Sequence, residues 1–205
     1  MRRSDWLFLF VLVLTVAAVA GALYFSETEA ERARRLETGT TQTAEGPSIG
    51  GPFTLVDQNG TTVTENDLLG KWTVIYFGYT FCPDVCPITL TNMGDAIDSL
   101  GATGARVVPI FITVDPKRDT VEALQEYAQH FHPRMRFLTG SEEDVARAAK
   151  AYRVYRSVRA ADGEQSYLVD HTSIVYVMGP DGKFVASMNH ATSAEEMARR
   201  LRRFL

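Results

Sequence analysis

Thr73-Val74-Ile75-Tyr76-Phe77-Gly78-Tyr79-Thr80-Phe81-Cys82-Pro83-Asp84-Val85-Cys86-Pro87 holds both cysteines of the 205-residue chain. Its first five residues are a run of strand formers, the pattern of a short buried strand. Its last residue opens a segment with Leu90, Met93, Ile97 and Leu100 on one face, which is helical spacing with proline in the first turn, where its missing N–H is harmless. The stretch therefore predicts a strand, a turn and a helix, with two thiols at the junction.

A structural disulfide is a poor account of that spacing. Closing a loop of about five residues removes only ~2 kcal/mol of denatured-state entropy, against ~4–5 kcal/mol for a long loop. Two inert buried thiols fit no better beside prolines at a helix entrance. The remaining readings are redox and metal. Cys86 lies at a helix start, where free N–H groups and the helix dipole stabilise a thiolate, which is both nucleophile and metal ligand. Three intervening residues allow the two sulfurs to face one site. Two thiolates suit Cu(I), and a third, nitrogen ligand extends the site to Cu(II). Zinc normally takes four ligands, and there is no second cysteine pair.

The chain has four histidines from which a third ligand can come. His130 and His132 fall at a helix end, where an exposed histidine paired with the dipole is expected. His190 precedes the last helix and reads as surface. His171, in Tyr167-Leu168-Val169-Asp170-His171-Thr172, comes just before the apolar run Ile174–Met178. The loop entering such a strand can face the cysteine loop, so His171 is the candidate ligand, with a satisfied structural histidine as the alternative.

Outward from the cysteines the pattern alternates between strands and helices. Phe53–Val56 and Thr61–Thr64 flank Asn59-Gly60, a two-residue hairpin signal. Val107–Val114 reads as a strand, with Pro109 marking a position that has no ladder partner for an N–H. Asp119 with Glu122, Ser141 with Asp144, and Ser193 with Glu196 predict three helix starts. Ile174–Met178 and Lys183–Met188 bracket a second hairpin turn, Gly179-Pro180-Asp181-Gly182. This order predicts an α/β sheet covered on both faces. Asp115-Pro116 ends a strand where an α/β site is expected. Asp115 either orients a ligand or pairs with Arg118 at a helix start.

Before residue 47 the composition differs. Trp6–Phe25 is a run of 20 residues without charge, 18 of them apolar, long enough at ~1.5 Å per residue to cross a bilayer. Arg2 and Arg3 precede it, which favours a cytoplasmic N-terminus and a translocated domain. A cleaved signal peptide with Ala18-Val19-Ala20 at its site is the alternative. The expected division is a cytoplasmic start at 1–5, a transmembrane anchor at 6–25, a flexible linker at 26–46 and a folded domain at 47–205. With 21 Lys and Arg against 25 Asp and Glu, the net charge of −4 offers no basic field for nucleic acid. The arginines 199, 200, 202 and 203 read as the solvated face of a terminal helix, with a docking patch as the alternative.

Three motifs together carry a resemblance: Phe77–Pro87, Phe111-Ile112-Thr113-Val114-Asp115-Pro116-Lys117-Arg118-Asp119-Thr120, and Tyr167–His171. In this order and spacing they resemble the Sco/SenC family over roughly residues 50–205. Lys117 stands where other members often carry Glu. The resemblance implies a thioredoxin-like sheet with flanking helices and an N-terminal hairpin, tethered to a membrane. It implies one copper bound by Cys82, Cys86 and His171. It also implies a role in assembling the dinuclear copper centre of cytochrome c oxidase subunit II, with an upstream copper donor or thiol reductant as a second partner. On this reading the domain faces the periplasm from a bacterial inner membrane, or alternatively the mitochondrial intermembrane space. Two functions follow: a copper metallochaperone, or a thiol–disulfide oxidoreductase in which Cys82 and Cys86 are the redox-active pair.

Overall fold

In the computed structural model, residues 48–159 and 167–205 are described, and they belong to one compact unit, Ser48–Leu205. The anticipated anchor at 6–25 and linker at 26–46 lie outside the described residues. Among the described residues no helix is long and apolar enough to cross a membrane.

Seven strands form the main sheet: β1 (Thr54–Asp57), β2 (Thr62–Thr64), β3 (Trp72–Gly78), β4 (Val107–Thr113), β5 (Arg136–Thr139), β8 (Ile174–Met178) and β9 (Phe184–Asn189), in the order β2-β1-β5-β4-β3-β8-β9. Strands β3, β4 and β5 run parallel at its centre, and β1 and β8 flank them antiparallel. Helix α1 (Val85–Ser99) connects β3 to β4, and α2 (Val121–Ala128) connects β4 to β5. Helix α3 (Glu142–Ala151) follows β5, and α4 (Ala194–Leu201) closes the chain and packs on α1. Successive side chains of a strand point to opposite faces, and Thr73 to Gly78 of β3 are all buried. Both faces are thus covered, as the sequence predicts. With the antiparallel hairpin β8–β9 beside the parallel strands, the fold is mixed α/β and thioredoxin-like.

The starts of α3 and α4 also form as read: Ser141 Oγ accepts from the Asp144 N–H and Ser193 Oγ from the Glu196 N–H. Pro109 is accommodated because β5 reaches only Ile110–Ile112 of β4, leaving the proline a neighbour on the β3 side alone. Other expectations need correction. The first hairpin is not a two-residue turn. Asp57 closes a longer loop, its carboxylate accepting from the N–H groups of Asn59 and Thr61, while Gly60 takes the positive φ of 76°. The cap of α2 is Thr120, whose hydroxyl accepts from the Ala123 N–H, and not Asp119. Asp119 is fully buried and its carboxylate is occupied elsewhere.

Strand β5 has four residues and no period long enough to read from sequence. Strands β6 (Arg156–Arg159) and β7 (Leu168–His171) form a separate two-stranded sheet that the sequence reading also missed. His171 ends β7, so it is held by a strand and not by a free loop.

Candidate metal centre

The site lies beyond the carboxyl ends of β3 and β4, where α/β sheets present their crevices. Gly78 ends β3, and its carbonyl accepts from the Val114 N–H at 2.7 Å, so the cysteine turn leaves the sheet directly beside the end of β4. Gly78 is required there by contact. A Cβ on it would stand 2.9 Å from Cys86 Sγ and 2.9 Å from the Phe111 ring.

Helix α1 begins at Val85 with Asp84 as its N-cap, yet the Asp84 side chain makes no capping bond. The Cys86 N–H, one of the donors that a capping side chain normally takes, is directed at Cys82 Sγ at 3.4 Å. The Cys82 sulfur therefore serves as the acceptor at the helix start. Both thiols are free; Cys86 is fully buried and Cys82 half-buried. The Cys86 thiol donates to Cys82, and with the Cys86 and Asp84 N–H groups it holds Cys82 down to about 5. Cys86 moves the other way. Its hydrogen bond to Cys82, burial and the neighbouring negative charge push it far above the usual thiol range. At neutral pH the reduced pair is one accessible thiolate beside one buried thiol.

His171 reaches the same place from β7. Its Nε2 lies 3.7 Å from Cys86 Sγ, and its Nδ1 lies 3.1 Å from the Thr172 carbonyl. A proton on Nδ1 donated to that carbonyl leaves the Nε2 lone pair facing the sulfurs, the arrangement that metal-binding histidines use. Burial lowers the imidazole below its ordinary value, which favours the neutral, ligating form. The rings of Tyr76 and Tyr79 stand edge-on to it, with centroids at 6.1 and 5.9 Å. Cys82, Cys86 and His171 are therefore brought together. Among the described residues no three His, Cys, Asp or Glu side chains are already drawn into a cluster that could hold an ion. The donor set itself, two soft thiolates and one imidazole, is one that copper takes.

His190 is half-buried, not the surface residue expected, and acts on His171 through its charge; the other two histidines stand apart from these roles. His130 is exposed. His132 is not the exposed, dipole-paired residue expected from sequence: its side chain is 9% exposed. Its Nδ1 accepts from the Arg134 N–H, so its Nε2 carries the proton and donates to Asp98 at 3.2 Å. Its preference for that carboxylate follows from its position beyond the end of α2, where it packs on Gly94 of α1.

Asp115 is 1% exposed, with one oxygen held by Arg118 Nε at 2.5 Å and the other by the Tyr167 hydroxyl at 2.7 Å. Both oxygens are thus occupied, which decides for the ion pair. The Arg118 guanidinium lies over the rings of Tyr167, at 3.7 Å, and Phe81, at 4.6 Å. This group links the residue before Cys82 to the residue before β7. Asp119 does comparable work below the turn. It accepts from the Thr80 N–H, the Thr80 hydroxyl and the Thr113 hydroxyl, and its own carbonyl accepts from Thr139 on β5. The helix-cap pattern around Asp119 hid this role, because the same residue types serve both purposes.

A thioredoxin-like fold with a Cys-x-x-x-Cys turn at a helix start and a strand-borne histidine against it defines a thiol and metal protein. The SCO1/SenC family model matches residues 41–205, and the chain belongs to that family. It is 42% identical over 188 residues to the mitochondrial SCO1 homolog 1 of Arabidopsis thaliana, covering 88% of this chain and 55% of that one. The chain thus spans about half the length of that relative. ScoI of Bradyrhizobium japonicum, solved with copper bound, is 42% identical with a TM-score of 0.72, over 77% of this chain and 100% of that one. BsSco, described as a Sco family cytochrome c oxidase assembly protein with a disulfide switch, is 27% identical with a TM-score of 0.61, over 77% and 94% of the two chains.

Proposed function

We propose that this chain is a copper metallochaperone serving the dinuclear copper centre of cytochrome c oxidase subunit II. Cys82 and Cys86 act as thiolate ligands and His171 as the imidazole ligand, with one copper carried as cargo. The observation that carries this reading is the convergence of His171 Nε2 on Cys86 Sγ at 3.7 Å, with its other nitrogen turned to a backbone carbonyl. A pure redox pair does not need that imidazole. The copper-bound ScoI structure supports the same metal. Loading requires the reduced thiols, because a disulfide offers no thiolate, and release proceeds by exchange of ligands with the receiving protein. An anchor at 6–25 and a linker at 26–46 would hold the domain, 47–205, on the outer face of a bacterial inner membrane, or in the intermembrane space of a mitochondrion.

A second reading is favoured by one observation, the division of the pair into an accessible thiolate, Cys82, and a buried thiol, Cys86. That is the arrangement of a thiol–disulfide oxidoreductase, with Cys82 attacking and Cys86 resolving. Reduction of the copper-receiving cysteines would then be the main task. Copper titration of the reduced protein, wild type beside Cys82→Ser/Cys86→Ser and His171→Ala, separates the two. The copper reading expects one equivalent in the wild type, none in the double cysteine variant and weakened binding without His171. Undiminished stoichiometry in the double cysteine variant would sink it.

A further inference from the structure

Tyr76 lies on β3 two residues before Gly78 and is fully buried. A buried phenol hydroxyl needs a hydrogen-bond partner, since an unsatisfied one costs stability. This one donates to Cys86 Sγ at 3.7 Å. The hydroxyls of Thr89 and Ser173 are its other polar neighbours, and Thr89 itself donates to the Val85 carbonyl at 2.7 Å. A Cβ on Gly78 would meet the Tyr76 ring at 3.0 Å as well as Cys86 Sγ at 2.9 Å, so ring and sulfur are pressed together over bare backbone. The Tyr76 and His171 rings stand edge to face with centroids 6.1 Å apart, and His171 Nε2 lies 3.7 Å from the same sulfur. The hydroxyl thus addresses the cysteine that solvent does not reach.

We propose that Tyr76 is a positioning residue whose hydroxyl donates to the Cys86 sulfur and steadies it as a thiolate during exchange at the pair. The proposal rests on Cys82 and Cys86 being the working pair, and it holds for either reading of what the pair delivers. When the pair is a disulfide, an external thiolate reaches only Cys82. It attacks Cys82 Sγ, a mixed disulfide forms there, and the Cys82–Cys86 bond breaks with its electron pair passing to Cys86 Sγ. The leaving thiolate is then buried and carries a full charge. The Tyr76 O–H keeps its proton and donates to that charge, a bond stronger than one to a neutral sulfur. When the external reductant is a dithiol, its second sulfur displaces Cys82, leaving the protein with two thiols and the reductant as a disulfide.

The test is the second-order rate of reduction of the oxidised, metal-free protein by dithiothreitol, measured on Tyr76→Phe, Ser173→Ala and Thr89→Val beside the wild type. Closure of the pair is first verified by the loss of two hydrogens in the intact mass. Tyr76→Phe keeps the ring, and its thermal midpoint reports whether packing has changed. The expected result is a rate lowered about tenfold in Tyr76→Phe, the low end of the worth of a hydrogen bond to a charged group, with Ser173→Ala and Thr89→Val within about twofold of wild type. An unchanged rate in Tyr76→Phe, or an equal fall in all three variants, overturns the role given to Tyr76 and leaves the working pair untouched. A pair that does not close on oxidation overturns both.

Discussion

His171 Nε2 lies 3.7 Å from Cys86 Sγ, although 85 residues separate the two in the chain. The approach depends on the small β6–β7 sheet, in which Arg156 pairs with His171, and on the Asp115–Arg118–Tyr167 group that fastens the start of β7 to the cysteine turn. The histidine is thus delivered by a rigid strand end, with the Thr172 carbonyl fixing which nitrogen faces the sulfur.

That delivery makes the effect of His171→Ala specific. Outer-shell partners of metal ligands are worth ~10–100-fold in affinity, so loss of a ligand exceeds that range. We expect Cu(II) affinity, the state for which the third, nitrogen ligand is needed, to fall by more than about 100-fold in competition with a chromophoric chelator. Closure of the Cys82–Cys86 disulfide by a small oxidant should proceed as in the wild type, because neither sulfur is lost. An unchanged affinity would show that His171 is a structural histidine.

The two thiols should differ sharply towards alkylation. Cys82 is held down to about 5 by the Cys86 thiol and two helix-start N–H groups, whereas Cys86 is buried and pushed up. Iodoacetamide on the reduced, metal-free protein should label Cys82 alone, at a rate already near its plateau at pH 7. A free thiol, with its ordinary value near 8.5, is still rising there. In Cys82→Ser, Cys86 should label only when the protein is unfolded. Peptide mass mapping between pH 5 and 9 checks both, and equal labelling of the two cysteines contradicts the assignment.

What could be read before the structure follows the range of the interactions concerned. Strand β8, Ile174–Met178, is legible because five apolar residues are bounded by turn formers, and α1 because its buried face repeats through Leu90, Met93 and Ile97. Local caps at Ser141 and Ser193 are legible for the same reason. Asp119 reads as a cap in sequence because its partners, Thr80 in the cysteine turn, Thr113 at the end of β4 and Thr139 at the end of β5, are gathered only by the fold. Strand β6 carries two arginines in four residues and has no apolar alternation to announce it. The candidate ligands were legible as residues, while Tyr76, which touches one of them, was legible only as core.

Asp119 ties Thr80, two residues before Cys82, to the end of β4. Burial raises its carboxyl above the ordinary value, so ionisation there carries a cost that the hydrogen bonds offset. In Asp119→Ala those bonds vanish and the Thr80 N–H loses its acceptor. We expect a loss of roughly 2–4 kcal/mol in urea unfolding, from more than one unsatisfied group at ~1–3 kcal/mol each. Thr120→Ala, which removes the true cap of α2, should cost only about 1 kcal/mol. The reverse ranking would return Asp119 to a capping role.

Gly78→Ala tests the contact beneath the site. The added methyl would stand 2.9 Å from both Cys86 Sγ and Phe111, closer than carbon and sulfur tolerate. Overpacking of this kind costs ~1–3 kcal/mol. Because Cys86 is one of the groups that must move, with Phe111 and the Tyr76 ring at 3.0 Å, copper affinity should fall along with the urea midpoint. A variant that loses stability while keeping wild-type affinity would show that the aromatic rings yield and the sulfur stays.

The depressed His171 imidazole fixes the sign of an acid effect on the reduced, metal-free protein. Burial is the main cause; the Thr172 carbonyl, the Cys82 thiolate and Asp170 oppose it, and His190 adds to it. The unfolded chain takes up this proton near pH 6.5, while the folded protein refuses it until the pH is lower. Stability is therefore lost as pH falls through about 6.5, and the loss stops growing once the folded imidazole also titrates. Cys82 acts in the same direction over a higher window: its thiolate contributes most above the ordinary thiol value, and that contribution is lost as pH falls towards about 5. The two are separated by difference. Urea midpoints at pH 7.5 and 5.5 should drop more in the wild type than in His171→Asn, whose amide does not titrate. An equal drop in both would mean that His171 takes up its proton as readily when folded as when unfolded.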